Sequence, residues 1–201
     1  MMIDNNIFLS PYTLNMRSQG VVFAHNLFAG AFKIVSYDER QTPYHLEHST
    51  EVVTTHDNPG GDSHYYNNIF VGTADLRGYD HVELPNTMKG NVFLSGATPA
   101  DLEANPLVQP EMNPGLELIE KKDGVYLKVT FDDAWDETPT IIVTSEKLPE
   151  AVISGLSYQN PDGTPCRIVA DFHGEDRRKR HPYPGPFAEP ETGSQLIKVW
   201  P

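Results

Sequence analysis

The sequence predicts an all-β protein, and three observations support that prediction. Glycine and proline contribute 15 and 17 of the 201 residues, and they are spread along the chain, so few stretches could continue a helix with its period of about 3.6 residues. Short apolar runs alternate with turn residues throughout. An asparagine, an aliphatic residue and a phenylalanine recur in that order four times before residue 96. The chain is therefore expected to form strands, in part from a repeated unit.

Composition excludes several classes of protein. Lysine and arginine total 15 against 28 aspartate and glutamate, a net charge of −13, so nothing would neutralise nucleic-acid phosphates. No apolar run approaches the roughly 18 residues of a membrane-spanning helix. The first twenty residues lack the order of a signal peptide, which favours a cytoplasmic location. A single cysteine, Cys166, excludes a disulfide framework and a thiolate zinc cluster.

The repeat occupies the first half of the chain. Its asparagines stand at 6, 26, 68 and 91, with spacings of 20, 42 and 23 residues. Periods of this length are typical of stacked structural units, and a middle spacing near twice the others indicates an inserted loop or a degenerate turn. The four segments are residues 4–10, 24–30, 66–72 and 89–95.

A parallel β-helix explains this repeat. If each unit is one coil, the aliphatic and phenylalanine positions stack on their equivalents and build a continuous apolar core. The asparagine would either adopt the left-handed conformation at a sharp bend or join a ladder of amides from coil to coil. A leucine-rich repeat needs more leucine than the units contain. The alternative is a chance likeness among strands of an ordinary sandwich.

After about residue 105 the repeat stops, and the pattern predicts an antiparallel, sandwich-like unit. Its predicted strands are residues 125–131, 140–144, 166–172 and 196–200. We therefore divide the chain into β-helix coils at 1–105, with a polar insertion at about 36–64, and a C-terminal unit at 106–201. A short helix is predicted at residues 98–104, with Thr98 as N-cap and Pro99 at the first helical position. The basic segment 175–181 is interpreted as a solvated loop.

The polar insertion carries the chemical candidates. Five of the eight histidines lie between residues 25 and 64, together with acids and an arginine, where a sugar-binding or catalytic surface could form. No spacing matches a defined metal site, and no cofactor is expected. A surface loop whose polar groups bond its own turns is the alternative. The candidate sugar-contacting residues are Arg40, Tyr44, His45, His48 and Glu51.

Several motifs are shared with a known group of enzymes. The chain resembles the C-terminal part of right-handed parallel β-helix glycoside hydrolases, in particular the β-xylosidase group of glycoside hydrolase family 120 and its uncharacterised relatives. The resemblance covers essentially the whole chain. It rests on residues 5–10, 22–30, 42–45, 48–51, 56–62, 65–70, 160–165, 171–174, 184–187 and 198–200.

The resemblance implies a retaining glycosidase with an aspartate nucleophile and a glutamate acid/base. In the family both lie on coils just before the coil that resembles residues 5–10, so neither has a counterpart in this sequence. The resemblance therefore implies a truncated chain that is inactive alone. It also implies an open end of the β-helix, which another copy or a separate N-terminal partner chain would cover.

Two other functions stay open on the residues alone. One is an active glycosidase that uses Glu51 with Asp57 or Asp62, since retaining hydrolysis needs two carboxyl groups about 5–5.5 Å apart. The other is a carbohydrate-binding or assembly module that takes an oligosaccharide or glycoside. Its binding is expected to be weak, because no exposed aromatic platform is evident in the sequence.

Overall fold

The computed structural model describes residues 1–179 and 181–201, and the fold is all-β, as predicted. In this part of the chain the only helices are four short 3₁₀ segments, at Arg77–His81, Asp133–Glu137, Ser145–Lys147 and Arg177–Lys179. None of its helices has the length and apolar character needed to span a membrane. The strands are β1 (Met2–Asp4), β2 (Ile7–Phe8), β3 (Tyr12–Met16), β4 (Val21–Ala24), β5 (Leu27–Phe28), β6 (Ala31–Ile34), β7 (Tyr37–His45), β8 (Val52–Pro59), β9 (Ser63–Tyr66), β10 (Ile69–Val71), β11 (Thr87–Lys89), β12 (Val92–Leu94), β13 (Leu107–Gln109), β14 (Glu117–Lys121), β15 (Gly124–Phe131) and β16 (Gly193–Trp200).

Two parallel sheets run through the repeated part of the chain. The first has the strand order β1-β4-β9-β11, and the second has the order β13-β12-β10-β5-β2. Each of the first four turns of the chain contributes one strand to each sheet, so that β4 is followed by β5 and β9 by β10. Equivalent residues of successive repeats pair in register, as Phe8 does with Phe28. The spacing of the asparagines therefore identified the structural unit correctly.

The repeat phenylalanines form one continuous stack, as predicted. Phe8, Phe28, Phe70 and Phe93 face the interior, and neighbouring ring centroids lie 5.0, 5.2 and 4.9 Å apart. The neighbouring rings are tilted by no more than 13°. Because the strands pair in register, each ring lies directly against the next, and the stack links four turns of the chain.

The aliphatic positions face the other way, which corrects the expectation of a single shared core. Leu27, Ile69 and Val92 pack in a second cluster with Leu127 and Val129 of β15. Adjacent residues on a strand point to opposite faces of the sheet. The phenylalanine and the aliphatic residue of each repeat therefore pack in two different cores. The second core is closed by an antiparallel sheet of order β14-β15-β16.

The repeat asparagines form a hydrogen-bonded ladder. Asn6 donates its backbone N–H to the Oδ1 of Asn26 at 2.9 Å, Asn26 donates likewise to Asn68 at 2.9 Å, and Asn68 donates to Asn91 at 2.8 Å. In each pair the side-chain Nδ2 donates to the same oxygen. The ladder ends on Glu103, whose Oε1 accepts from the backbone and side-chain nitrogens of Asn91 at 3.0 and 2.9 Å.

The left-handed conformation belongs to the residue before each ladder asparagine, not to the asparagine itself. His25 and Asn67 have φ angles of 56° and 57°. The equivalent positions in the other turns are Asn5, Gly90 and Asn105, with φ angles of 54°, 70° and 54°. In each turn, therefore, one residue forms the corner and the next residue joins the ladder. The fifth turn keeps the corner at Asn105 but has Pro106 where the other turns have the ladder asparagine.

Two predicted strands of the C-terminal half do not form. Residues 140–144 and 166–172 contain only isolated bridges, such as Thr144 with Arg167. The backbone of Ile141 bonds the side chain of Asn67, with its N–H on Oδ1 at 3.2 Å and its carbonyl accepting from Nδ2 at 2.7 Å. This segment instead covers the outer face of the first parallel sheet, where Val143 and Ile168 pack with Val22. At residues 140–144 the prediction was wrong because the Asn67 side chain takes the place of a neighbouring strand.

The helix predicted at residues 98–104 is also absent, and a turn occupies its place. Thr98 donates its N–H to the carbonyl of Ala74 at 2.9 Å and accepts from the N–H of Leu76 at 3.0 Å. Those bonds tie the predicted N-cap to the preceding turn of the chain. Glu103 then turns inward to end the asparagine ladder, so the acidic side chain serves the core rather than a helix.

The basic segment is only partly a solvated loop. Arg177 is 2% exposed and donates to Asn5 Oδ1 at 2.7 Å and to the Gly185 carbonyl at 3.0 Å. Burial lowers the pKa of the Arg177 guanidinium to about 10. Arg178 and Lys179 are exposed, as predicted, and Arg180 lies outside the described residues.

Candidate functional site

An antiparallel hairpin forms the insertion that the doubled repeat spacing indicated. Strands β7 and β8 pair with each other and join β6 to β9. Their register shifts between Asp38 and Thr42 and again between Tyr44 and His45. Such irregularities change which side chains share a face of the hairpin. The hairpin therefore divides the sequence-predicted residues into two groups.

The first group begins with Arg40, which is held by a carboxylate at the base of the hairpin. Its Nε and Nη2 donate to the two oxygens of Asp38 at 2.9 and 2.6 Å, and Arg17 donates to the same carboxylate at 2.9 Å. Hydrogen bonding to Arg40 holds the pKa of the Asp38 carboxyl well below its usual range. The paired arginine is thereby oriented although its side chain is 68% exposed.

Arg40 and Tyr44 line a pocket of about 530 Å³, which we call the hairpin pocket. It lies between the hairpin and the turn at residues 151–154, and Asp62 reaches it from the start of β9. This volume falls within the range of about 300–1,000 Å³ that is usual for small-molecule sites. Other polar lining residues are Arg17, Ser18, Gln19, Gln41, Thr42, His56, Asn58 and Ser154.

Tyr44 and His56 give the hairpin pocket an aromatic wall. They stand on the paired strands of the hairpin, with ring centroids 6.0 Å apart and a tilt of 50°. Sugar rings commonly pack their C–H face on such surfaces, while their hydroxyls meet planar polar groups at the edges. Tyr44 and His56 are distant in sequence, so this pairing of rings was not evident from the sequence.

The second group lies at the end of the hairpin, outside the pocket. His45 contacts the Thr50 carbonyl through Nδ1 at 3.0 Å, His48 is 3.4 Å from the carboxylate of Glu47, and Glu51 accepts nothing from these histidines. Glu51 is exposed. His45 and His48 thus contact groups of their own turn, and the Glu51 N–H donates to Ser49 Oγ at 2.9 Å.

The candidate catalytic carboxylates have separate partners and different burial. Asp62 is 0% exposed; its Oδ1 contacts His64 Nε2 at 3.1 Å and its Oδ2 accepts from the Val152 N–H at 2.9 Å. Asp57 accepts a hydrogen bond from Gln41 on the exposed hairpin. Glu51 lies on the hairpin end. Asp62 therefore holds the turn at residues 151–154 in place, a structural task for a buried carboxylate.

Sequence reasoning missed several groups that complete the pocket. Asn58 is 5% exposed and donates to the Arg40 carbonyl at 3.0 Å and to Thr42. Gln19 donates to the Pro59 carbonyl at 2.7 Å. The turn at residues 151–154 is held beside the hairpin by the hydrogen bond from the Val152 N–H to Asp62, which is 90 residues away in sequence. No local sequence motif predicts such a contact. In the described part of the chain, no group of three or more metal-ligating residues is close enough to hold a metal ion.

Comparison with known proteins gives one informative likeness. None of the protein-family models matches the chain, and no curated protein matches it. Among solved structures, the chain is similar to XylC, determined in complex with xylose. The TM-score is 0.88 at 28% sequence identity, over 99% of this chain. The chain spans 36% of the length of the XylC chain.

Proposed function

We propose that this chain is a xylosidase-like, carbohydrate-binding protein that recognises xylose units in the hairpin pocket. The observation that carries the proposal is the structural likeness to XylC, a protein solved with xylose, over 99% of this chain. Within the same proposal, residues 1–105 form right-handed parallel β-helix coils interrupted by the hairpin. Residues 106–201 form the antiparallel C-terminal unit, with the β14-β15-β16 sheet as its regular part.

The chemistry of the hairpin pocket supports sugar recognition. Arg40 offers guanidinium donors whose direction is fixed by Asp38, and Gln41 adds a side-chain amide at the rim. Tyr44 and His56 offer ring faces to the apolar face of a sugar. A few oriented polar groups beside an aromatic wall are typical of small-ligand pockets.

Tyr44→Ala is expected to weaken xylose binding about tenfold, or by about 1.4 kcal/mol, because the sugar loses its ring contact. Calorimetric titration of the wild-type chain and the variant with xylose measures this. Tyr12→Ala is the matched control, since Tyr12 is 85% exposed and lies outside both strands of the hairpin. Unchanged xylose affinity in Tyr44→Ala would contradict the assignment of the pocket, and absence of any xylose binding would contradict the proposed function.

We infer further that the chain does not hydrolyse glycosides by itself. Retaining hydrolysis needs two carboxyl groups about 5–5.5 Å apart beside the scissile bond. Asp62 has both oxygens engaged in the interior, and Glu51 and Asp57 lie on the hairpin surface. This separation favours binding over hydrolysis, and the alternative of an active enzyme centred on Glu51 loses support.

Purified chain is accordingly expected to release no phenol from aryl β-xylosides, arabinosides, galactosides or glucosides. The physical reason is that the candidate carboxyl groups Glu51, Asp57 and Asp62 have separate surroundings, so they do not supply an acid and a nucleophile side by side. A chromogenic assay with enzyme-free blanks measures the release of phenol. The Glu51→Gln variant shows whether any turnover comes from the chain itself or from a contaminant. Turnover that Glu51→Gln abolishes would contradict the inference and restore the active glycosidase.

The polarity of the asparagine ladder supports a partner at the β1–β2 end. Each ladder oxygen accepts from the turn before it, yet within the described residues no donor reaches the Oδ1 of Asn6. In a head-to-tail arrangement, the last coil of a second copy would lie against Asn6. That coil has Pro106 at the ladder position, and proline has no N–H to donate to the Asn6 oxygen. We therefore propose that an asparagine-bearing coil from outside residues 1–201, rather than a head-to-tail copy, covers this end.

Sedimentation over a concentration series tests that choice of partner. The chain alone is expected to stay monomeric, and amides of β1 are expected to exchange with solvent faster than those of β4, which has neighbours on both sides. A concentration-dependent dimer that protects the β1 amides would contradict this choice and show that a second copy covers the end.

A further inference from the structure

The hairpin of β7 and β8 buries very little of its own surface. The two strands pair with each other and form a sheet of two strands. Of the nine residues of β7 only Asp38 is buried, and of the eight residues of β8 only Asn58 is buried. A ribbon of two strands without a third strand is marginally stable in water. The outer part of the hairpin is therefore an arm with little packing to hold it in one position.

The two buried residues fasten the base of the hairpin. Asp38 accepts from Arg40 Nη2 at 2.6 Å, and Arg17, which follows β3, donates to the same carboxylate at 2.9 Å. Asn58 donates to the Arg40 carbonyl at 3.0 Å and to the Thr42 hydroxyl. These bonds tie both strands to each other and to the body of the protein, so the base keeps its place when the arm moves.

Pairing is irregular just beyond the base. The first pair after Thr42 is Pro43 with Thr55, and proline has no N–H to contribute to the ladder. The register shifts again immediately after Tyr44. Irregular pairing bends a ribbon and interrupts its hydrogen bonds, so local opening costs least at this point. The Pro43–Thr55 pair is therefore the natural hinge of the arm.

One half of the aromatic wall lies beyond this hinge. Tyr44 stands on the arm, while His56 stands on the base side, with ring centroids 6.0 Å apart. The facing turn at residues 151–154 is held in place by Asp62. Rotation of the arm about the hinge would carry Tyr44 away from both. The hairpin pocket is therefore complete only when the arm is closed.

The end of the hairpin contacts the turn at residues 160–163. His48 Nε2 lies 3.7 Å from the position that a Cβ on Gly163 would occupy. The Gly163 N–H donates to the Asn160 carbonyl at 2.9 Å, which closes that turn. The His48 side chain stays 56% exposed, and a few van der Waals contacts are individually weak. This contact can therefore form and break at little cost.

We propose that residues 43–55 form a lid over the hairpin pocket. The lid is closed in this structure, with His48 against the 160–163 turn, and it opens about the Pro43–Thr55 pair to admit and release the sugar. This inference rests on the proposed function, because it concerns access to the same pocket. It assigns His48 as the latch of the lid, outside the pocket itself.

The experiment locks the lid with a short bismaleimide between cysteines introduced by His48→Cys and Pro161→Cys. Pro161 is exposed and lies in the turn that His48 contacts. The double variant is loaded with labelled xylose, cross-linked and diluted, and release is followed by rapid filtration. Release is expected to slow at least about tenfold, because the sugar leaves only through an open lid. Uptake by a chain cross-linked while empty is expected to slow likewise.

The matched controls are the two single-cysteine variants treated with the same reagent. They account for attachment of the reagent at either position and for reaction at Cys166, which is 5% exposed. Both are expected to exchange xylose as fast as the untreated double variant.

The outcomes separate the lid from the proposed function. Equally fast exchange in the cross-linked and untreated chains, with xylose binding sensitive to Tyr44→Ala, overturns the lid and leaves the proposed function standing. Failure of the two cysteines to cross-link, although each single cysteine reacts with the reagent, also overturns the lid, because the hairpin end then does not contact the 160–163 turn. No xylose binding by the untreated chain overturns the proposed function, and the lid falls with it.

Discussion

Asn68→Ala is expected to lower the free energy of unfolding by about 3–5 kcal/mol, because it leaves two or three buried polar groups without partners at about 1–3 kcal/mol each. Asn68 Oδ1 accepts from both nitrogens of Asn26. Its Nδ2 donates to the Phe23 carbonyl at 3.0 Å and to Asn91 at 3.0 Å. The variant therefore opens the ladder at its centre, where Asn68 is 0% exposed.

Urea denaturation followed by circular dichroism measures the loss. Asn6→Ala is the matched control, since Asn6 occupies the exposed end of the same ladder and keeps its backbone bond to Asn26. Its expected cost is below about 1 kcal/mol, as is usual for a single exposed hydrogen bond. Equal losses in the two variants would show that the ladder is not a buried structural element.

Glu103→Gln is expected to stabilise the protein above neutral pH and to flatten its pH dependence. Burial raises the pKa of the Glu103 carboxyl from 4.5 to about 7, and the side chain is 6% exposed. Oε1 caps Asn91, while Oε2 has no partner among the described residues. Glutamine keeps the acceptor oxygen and carries no charge, so it preserves the cap at every pH.

The sign of the effect follows from proton binding. Between pH 4.5 and about 7 the folded protein holds a proton on Glu103 that the unfolded chain releases. The contribution of this group to stability is therefore complete below pH 4.5 and declines as pH rises through 7, by up to about 3 kcal/mol. The stability difference between Glu103→Gln and wild type should grow by that order across this range.

Urea titrations at a series of pH values from about 4 to 8 measure this difference. Glu150→Gln, at an exposed position, is the matched control and is expected to leave the pH dependence unchanged. A constant difference between Glu103→Gln and wild type over the whole range would mean that Glu103 does not titrate in the folded protein.

The repeat made the regular part of the fold predictable. Spacing of the asparagines located the stacked turns, and both the phenylalanine stack and the amide ladder follow from parallel strands in register. The sequence did not show which face of the sheet each apolar side chain occupies. Only the pairing shows that Phe28 faces inward while Leu27 faces β15, because a short apolar run contains no signal for which face is which.

Features that depend on distant contacts were not predictable. Glu103 ends the ladder because Pro106 interrupts the repeat, and a lone glutamate carries no pattern of its own. Ile141 was predicted to lie in a strand, yet the Asn67 side chain takes both of its backbone groups. In each case a side chain from another turn of the chain overrides the local preference for strand or helix.

The candidate site was half predictable for the same reason. The insertion and its polar composition identified the hairpin, but the register shift after Tyr44 separates it from His45. Arg40 and Tyr44 consequently line the pocket, while His45, His48 and Glu51 lie at the hairpin end. The opposite wall of the pocket is the turn at residues 151–154, which Asp62 holds in place. No local sequence motif predicts that contact.

The most direct test of the proposed function is a xylose titration of isotopically labelled chain followed by amide chemical shifts. Binding in the hairpin pocket predicts saturable shifts at residues 40–44 and 56, and at the turn 151–154 that forms the opposite wall. Shifts confined to other parts of the chain, or none when xylose is raised far above physiological levels, would contradict the claim that this pocket recognises xylose.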